Sequence, residues 1–306
     1  MPSTFDFGVA WCWEHDRPFV EQLDALCQSR GVRSYLIYSD HVARATELVR
    51  SGQLSFAVFL DRASDMSAAY DPLSELVAAD KAVRFINDRE VTAWAADKAL
   101  MSVELARAGV LIPRTIVIPP YERFPQFDPS WLEEVIPPLA VKPARGAGGQ
   151  GVGLGVSLRS DLQRLRSAEP EEEFLLQEML RPVSLDGRRA WFRSFYVGGK
   201  VAAHFWDDET RLFGPCVSKE QMRAQGLKDL VDVPKAIAEL CEMDFFSTEL
   251  CLTEDGKVVA VDWVNDQPDL RRRSAAADGV PDETVDTVCG WLVDLVAREL
   301  ALARSA

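Results

Sequence analysis

The segment at residues 142–151, which reads Lys-Pro-Ala-Arg-Gly-Ala-Gly-Gly-Gln-Gly, restricts the possible folds of this chain more than any other feature. Residues 139–142 before it and residues 152–158 after it both have the apolar pattern of β-strands. Because glycines have no side chains, their backbone amides can approach and surround anionic oxygens. We predict a loop that joins two strands and covers a phosphate group; the alternative interpretation is a flexible surface turn.

The residues around these glycines argue against two other kinds of phosphate-binding loop. Gly146, Gly148 and Gly151 fit the spacing GxGxxG, but a dinucleotide-binding turn requires a helix to begin there, and an extended run follows instead. A Walker A loop requires Lys-Ser or Lys-Thr after the last glycine, whereas Lys142 precedes this loop. We therefore expect Lys142 to reach the phosphates from the end of a strand.

The charge of the chain restricts its partners. The formal net charge is -14, from 34 basic and 48 acidic residues, so the protein would repel nucleic acids and anionic membrane surfaces. The six cysteines are scattered singly, without the spacing of a disulfide framework or a zinc site. No basic leader and no run of roughly 18 apolar residues occurs, so we expect a cytoplasmic protein without nucleic-acid or membrane partners.

The first 87 residues alternate short apolar runs with helical patterns, which predicts a small parallel βαβαβ lobe. Ligands of such sheets collect at the carboxyl ends of the strands, here residues 11–16 and 61–65. Residues 11–16 either shape a pocket for an acceptor substrate or form a capping loop before a helix. Both interpretations stay open at the level of the sequence.

Helix-capping residues and prolines divide the middle of the chain. A helical pattern runs from Asp88, a predicted N-cap, to Gly109, a predicted C-terminal stop, with Lys98 inside it. Residues 115–118 and 174–180 have strand patterns, separated by a proline-rich loop and a short helix that Ser160 and Asp161 would cap. A helix with apolar residues at spacings of three and four closes the chain.

Two glycine-containing turns predict β-hairpins, with Gly198-Gly199 and Asp255-Gly256 as two-residue loops. The register of the second hairpin places Glu249 directly opposite Asp262. Two carboxylates about 5 Å apart repel each other unless a cation lies between them, and magnesium is the natural candidate beside phosphates. Asn265 joins the same ion only if a bulge turns it to that face. Taken alone, Glu249 would be an ordinary solvated strand acid.

The register of the first hairpin places Arg193 opposite His204 and Trp191 opposite Trp206. One face of this hairpin therefore carries an arginine among aromatic rings. The guanidinium group either offsets the charge of a phosphoryl group during transfer or simply stacks on a tryptophan.

Five segments, in order, resemble the ATP-grasp superfamily over about residues 85 to 270, and in particular carboxylate-amine ligases with the ATP-binding domain of glutathione synthetase. They read DKALMSVELARAGVLIPRT, AVKPARGAGGQGV, FLLQEML, WFRSFYVGGKVAAHF and STELCLTEDGKVVAVDWVND. The resemblance implies an α/β fold of α+β lobes, preceded by a Rossmann-like lobe. The implied divisions are an N-terminal lobe at residues 1–87, a small lobe with the glycine-rich lid at 88–176, and a C-terminal lobe at 177–306.

The resemblance also implies an ATP site between two lobes. Arg193 and Lys142 would be catalytic, and Glu249, Asp262 and Asn265 would hold one or two magnesium ions. The residues implied to bind ATP are Lys98, Lys142, Arg145, Gly146, Gly148, Gly149, Gln150, Gly151, Gln177, Glu178, Met179, Leu180 and Asp186.

Two features depart from the family pattern. The last metal motif of the family commonly reads Glu-x-Asn, whereas this chain has Asp262-Trp-Val-Asn265, so either Asn265 or Asp266 is the second ligand. The acid that binds the ribose hydroxyls has no clear counterpart, and Asp186 in a variable loop is the nearest candidate.

The function implied is ATP-dependent ligation, in which a carboxylate is converted to an acyl phosphate and joined to an amine with release of ADP and phosphate. The substrate would be a small molecule or a peptide, and a homodimer is compatible with the family. An ATP-grasp kinase acting on a hydroxyl, a non-catalytic ATP-binding module and, through GxGxxG alone, a dehydrogenase are the alternatives.

Overall fold

The computed structural model describes residues 3–128, 137–146 and 149–305, which form a mixed α/β fold. The described strands are β1 (Ser3–Trp11), β2 (Ser34–Ile37), β3 (Leu54–Arg62), β4 (Arg84–Ile86), β5 (Thr115–Ile118), β6 (Leu139–Pro143), β7 (Gly153–Val156), β8 (Phe174–Glu178), β9 (Ser184–Leu185), β10 (Arg188–Arg189), β11 (Trp191–Val197), β12 (Lys200–Asp207), β13 (Leu212–Cys216), β14 (Phe245–Leu252) and β15 (Val258–Asn265).

The described α-helices are α1 (Arg17–Ser29), α2 (Val42–Arg50), α3 (Asp71–Ala79), α4 (Arg89–Ala96), α5 (Lys98–Arg107), α6 (Arg159–Ala168), α7 (Lys219–Ala224), α8 (Asp229–Cys241) and α9 (Asp282–Ser305). Short 3-10 helices cover Glu14–Asp16 and Ala68–Tyr70. Over the ranges that the structure describes, no helix is both long and apolar enough to cross a membrane.

The N-terminal sheet is parallel, in the order β2-β1-β3-β4. This confirms the predicted βαβαβ arrangement. The sequence pattern did not predict β4, because three residues are too few to show a periodicity. Helix α1 packs against the sheet through Phe19, Val20, Leu23 and Cys27, which are spaced at three and four and fully buried.

The helix predicted between Asp88 and Gly109 is divided into α4 and α5. The predicted ends are confirmed: the Asp88 carboxylate accepts from two amides of α4, and Gly109 has φ of +79° just after α5. The prediction of a single helix is wrong, because Asp97 leaves the helical conformation and caps α5 with its own carboxylate. The break makes Lys98 the first residue of α5.

The middle sheet is antiparallel, in the order β5-β8-β6-β7. Strands β6 and β7 flank the glycine-rich segment, so the predicted connection between two strands is confirmed. The sheet and α6 share a separate apolar core that includes Val141, Leu162 and Phe174. The predicted caps Ser160 and Asp161 are wrong, because α6 begins at Arg159 and both lie in its first turn.

The C-terminal sheet has the order β13-β12-β11-β14-β15. Helix α8 contacts β11, β12 and β15, and helix α9 contacts β11. Helix α9 also contacts α1 and β3, so the C-terminal and N-terminal sheets share one core. In this core Val288 and Leu292 of α9 are fully buried, at the spacing that the sequence predicted.

The first predicted hairpin turn is confirmed and the second is wrong. Val197 pairs with Lys200, and Gly198 and Gly199 both have positive φ, at +52° and +97°. In the second hairpin Leu252 pairs with Val258, so the loop is longer than Asp255-Gly256. The backbone N–H of Thr253 donates to the Lys257 carbonyl at 2.9 Å, which leaves three residues in the turn.

The predicted pairing of Glu249 with Asp262 is nevertheless confirmed. The register shifts between Glu249 and Leu250, which compensates for the extra turn residue. A second shift places Asn265 opposite Ser247. Because Ser247 and Glu249 lie on the same face of β14, the bulge turns Asn265 to the face that carries Asp262, as the sequence required.

Candidate functional site

One row of charged residues crosses three adjacent strands of the C-terminal sheet. Arg193 on β11 pairs with Glu249 on β14, which pairs with Asp262 on β15. Arg193 Nη2 lies 3.3 Å from Glu249 Oε1, and its guanidinium carbon lies 4.7 Å from the centre of the Trp206 ring. The sequence offered charge neutralisation and stacking as alternatives for Arg193, and in this structure the side chain is placed for both.

The Glu249 carboxylate is held from two sides. It accepts a hydrogen bond from Trp191 Nε1 at 3.2 Å on one oxygen and faces Arg193 with the other. Burial raises the pKa of Glu249; Arg193 lowers it in part, and the charge of Asp262 raises it further. The carboxylate is therefore placed where an added cation would stabilise its charged form.

Lys142 connects the middle sheet to this row. It lies on β6, and its Nζ donates to the Val261 carbonyl at 3.1 Å, beside the bulge in β15. Burial lowers the pKa of Lys142, while the charges of Asp262 and Glu249 raise it. The two carboxylates offset part of the charge of this half-buried ammonium group, which can also contact an anion that enters above the row.

Lys98 lies between Lys142 and the glycine-rich loop. Its Nζ donates to the Gly146 carbonyl at 2.7 Å, and its charge also acts on Lys142. At the base of the same loop, Arg145 Nη2 lies 3.1 Å from the buried Asp97 carboxylate. The loop, two lysines and the paired acids thus form one continuous group.

The glycine-rich loop requires glycine at two of its described positions. Gly149 and Gly151 have φ of +76° and +69°, which side chains disfavour. A Cβ atom on Gly151 would also lie 3.3 Å from Cγ of the rigid Pro143 ring, so the space beside this backbone is tight. Gln150 between them is exposed. Gly148, also predicted to bind phosphate, lies outside the described residues.

The predicted adenine-binding segment begins inside β8. Gln177 is buried and its Nε2 donates to Thr115 Oγ1 at 2.9 Å, while no partner is present for its Oε1 in the described structure. The Glu178 carboxylate accepts from the backbone N–H of Arg114 at 2.9 Å. Met179 is 40% exposed and Leu180 packs against the apolar core. Glu178 is thus tied to the neighbouring strand in this structure.

Asp186, the predicted ribose-binding acid, lies in the short turn between β9 and β10 with φ of +52°. Its carboxylate accepts from Gln221 Nε2 at 2.8 Å and from Gln225 Nε2 at 3.0 Å, both near α7. These two bonds lower the pKa of Asp186. The Asp186 carboxylate is therefore already bonded to side chains at α7, and Asp186 is not among the residues that we propose to bind ATP.

The oxygen atoms of Glu249, Asp262 and Asn265 suit magnesium, which binds one or two carboxylates together with phosphate oxygens and water. Within residues 3–128, 137–146 and 149–305, no three His, Cys, Asp or Glu side chains form a group that could hold a metal ion. A site completed by phosphate oxygens agrees with this observation. Burial raises the pKa of Asp266, the alternative second ligand, and the charge of Asp65 raises it further.

Sequence reasoning missed the buried ion pair between Asp16 and Arg62. Asp16 is the last residue of a 3-10 helix. Its side chain makes no capping hydrogen bond to α1. It instead accepts two hydrogen bonds from Arg62, at 2.7 and 2.9 Å. Both residues lie at carboxyl ends of neighbouring parallel strands, which was the available signal. In the two segments where ligands were predicted to collect, Asp16 is thus paired with Arg62, and the Asp61 carboxylate accepts from the hydroxyl groups of Ser64 and Ser74.

His204, the neighbour of Arg193 on β12, is buried as a neutral side chain. Its Nδ1 lies 3.4 Å from the Gly214 carbonyl and its Nε2 2.7 Å from Thr284 Oγ1, so Nδ1 donates and Nε2 accepts. Burial lowers the pKa of His204 to about 4. The pKa of His204 is lower in the folded than in the unfolded protein. The stability gained by burying the neutral imidazole is therefore complete above about pH 6.5 and declines as the pH falls toward 4.

We expect the His204→Gln variant to lose less stability than the wild-type protein between pH 7 and pH 4.5. The difference should be about 2 kcal/mol in the free energy of unfolding, measured by urea denaturation at each pH. The His15→Gln variant is the control, because His15 is exposed. An identical pH dependence in the wild-type protein and the His204 variant would contradict the assignment.

Comparison with solved structures identifies proteins of the same architecture. An ATP-grasp RimK domain protein from Sphaerobacter thermophilus is 18% identical, with 95% of this chain and 99% of that chain covered at a TM-score of 0.62. The ligase PsnB, complexed with a minimal precursor, Mg and ADP, is 17% identical, with 96% and 98% covered at 0.61. D-alanine–D-alanine ligase from Bacillus anthracis, complexed with ATP, is 13% identical, with 98% of each chain covered at 0.65. No protein-family model and no curated protein sequence matches the chain.

Proposed function

Because this chain has the ATP-grasp fold, we propose that it is an ATP- and magnesium-dependent ligase that activates a carboxylate and joins it to an amine. The observation that carries the proposal is the row of Arg193, Glu249 and Asp262 with Lys142 against it. A protein that only binds a nucleotide does not need an arginine placed beside the metal-binding acids. This arrangement therefore favours phosphoryl transfer over storage or sensing.

The side chains divide into two groups by charge. Lys98, Lys142 and the amides of the glycine-rich loop would bind the phosphate oxygens, and Arg145 would support the base of the loop. Glu249, Asp262 and Asn265 would hold magnesium, which when bound neutralises phosphate charge and orients the transferred group.

The proposed reaction has two steps. A carboxylate oxygen of the substrate takes the terminal phosphoryl group and ADP leaves; the amine nitrogen then attacks the acyl carbon, loses a proton, and phosphate leaves. Arg193 would stabilise the negative charge that develops on the phosphoryl oxygens during the first step. Its stacking on Trp206 fixes the plane of the guanidinium group before substrate binds, so little rotational freedom remains to be lost.

The neighbouring structures suggest the range of acceptors. PsnB is bound to a precursor peptide, and other matches are D-cycloserine synthetase and D-alanine–D-alanine ligase. We therefore propose a peptide or an amino-acid-like small molecule as substrate.

The direct test is to incubate the protein with ATP, magnesium and pools of amino acids and short peptides, and to measure ADP, free phosphate and new amide products. Release of ADP and phosphate that depends on an amine supports ligation. A phosphorylated hydroxyl product would instead show a kinase. Tight ATP binding without turnover in any pool would contradict the catalytic proposal.

A further inference from the structure

We propose that Gln267, held by the N-terminal sheet, is a positioning residue that orients Asn265 toward the bound cation. The inference rests on the proposed function, because it takes Asn265 as a metal ligand. It assigns to the N-terminal sheet a role in a site whose other proposed residues lie on α5, the glycine-rich loop, and the middle and C-terminal sheets.

The first part of the connection is the ion pair between Asp16 and Arg62. Both residues are almost completely buried, at 1% and 4% exposure. Two hydrogen bonds from Arg62 Nε and Nη2 to the Asp16 carboxylate fix the guanidinium plane. In this low-dielectric setting the pair holds a single geometry, so Arg62 presents its remaining N–H groups in defined directions.

The second part joins Arg62 to the segment that follows β15. Arg62 Nη2 also donates to the Pro268 carbonyl at 3.0 Å, and Nη1 lies 3.5 Å from Gln267 Oε1. Gln267 Nε2 donates to the Asp61 carbonyl at 3.0 Å. Both ends of the Gln267 amide are therefore held by β3, the donor by a backbone carbonyl and the acceptor by Arg62.

The third part reaches the proposed ligand. The backbone N–H of Gln267 donates to Asn265 Oδ1 at 3.2 Å. This bond orients the amide oxygen, and a carbonyl oxygen retains a second lone pair that can coordinate a cation. Asn265 needs such support because it follows a bulge in β15, where the regular ladder no longer fixes the backbone. Glutamine suits position 267 because its side chain is used as donor and acceptor together.

The test compares ADP affinity with MgCl₂ and with EDTA, by isothermal titration calorimetry on the full chain. In the Gln267→Ala variant we expect the gain in ADP affinity caused by magnesium to fall about tenfold or more, as for other partners that orient metal ligands. ADP affinity in EDTA should stay within about twofold, because Lys98, Lys142 and the loop are unchanged. A residue that only positions the metal ligand should change ADP affinity with magnesium but not in EDTA, whereas damage to the whole nucleotide site should lower both affinities.

The matched control is Gln22→Ala. Gln22 Nε2 also joins distant parts of the chain, since it donates to Asp286 Oδ1 at 2.7 Å, and Asp286 lies outside the 261–268 segment. This variant should keep the magnesium effect of the wild-type protein. A second variant, Gln267→Met, retains the side-chain length and serves if the alanine variant does not fold.

A full magnesium effect in the folded Gln267→Ala or Gln267→Met variant would overturn the inference and leave the proposed function standing. If the wild-type protein itself binds no ADP, or binds it without any response to magnesium, the proposed nucleotide and metal site is wrong. An equal loss in the Gln22→Ala control would show that the effect is general, and would also overturn the inference.

Discussion

Replacement of Glu249 by glutamine is expected to lower the turnover number for ADP release by about a hundredfold or more. The two side chains have nearly the same shape, and the amide oxygen of glutamine can still accept from Trp191 Nε1. What is lost is the negative charge that faces Arg193 and would bind magnesium. Because this half-buried carboxylate is opposed to Asp262, its replacement by a neutral amide relieves repulsion, and we expect the fold to be retained.

The measurement is steady-state release of ADP at saturating ATP, with thermal unfolding as the check on folding. Glu254→Gln is the control, since Glu254 lies exposed on the turn between β14 and β15. It should keep wild-type activity. Wild-type turnover in the folded Glu249 variant would show that this acid does not take part in the reaction.

Replacement of Arg193 by alanine is expected to cause a loss of similar size, about a hundredfold in turnover. The guanidinium group would act on charge that develops only during phosphoryl transfer, so the dissociation constant of ATP should change far less. The variant also leaves Glu249 without its ion-pair partner, and the pKa of that carboxyl should therefore rise further.

Turnover and ATP binding should be measured separately, the second by calorimetry with a non-hydrolysable analogue. Arg188→Ala is a matched control, because Arg188 also stacks on a ring of the C-terminal sheet, 5.9 Å from the centre of Phe205. That variant should remain active. A fall in ATP affinity with unchanged turnover at saturating ATP would assign Arg193 to ground-state binding.

The strand patterns predicted the central pairing of the site but not the turn beside it. Side-chain alternation and turn residues were sufficient at Gly198-Gly199, where both glycines adopt the positive φ that a two-residue loop requires. At Asp255-Gly256 the same rule gave too short a loop, and a register shift near Glu249 compensated for it. The predicted pairing of Glu249 with Asp262 is therefore correct because the longer turn and the register shift cancel.

Contacts between distant segments were beyond the reach of sequence patterns. Arg62 and Asp16 are 46 positions apart and Arg62 and Gln267 are 205 apart, and no periodicity connects them. The break at Asp97 has the same origin, because the Lys98 amide donates to the Ala144 carbonyl of another element. Sequence patterns therefore indicated which residues were candidates for the site. The packing of the sheets determines which of those residues are in contact.

The packing of the middle sheet determines which contacts must break for the site to open. The N-terminal and C-terminal sheets are fastened together by α9, whereas Val141, Leu162 and Phe174 pack within the middle sheet and α6. Leu175 of β8, however, is fully buried in a core that it shares with Phe192 and Phe205 of the C-terminal sheet, so rotation of the middle sheet away from the acidic row would also expose apolar surface. Opening would break polar contacts such as the bond from Lys142 to Val261, which water can replace, and apolar contacts of Leu175, which water cannot replace; the apolar contacts therefore favour the closed form.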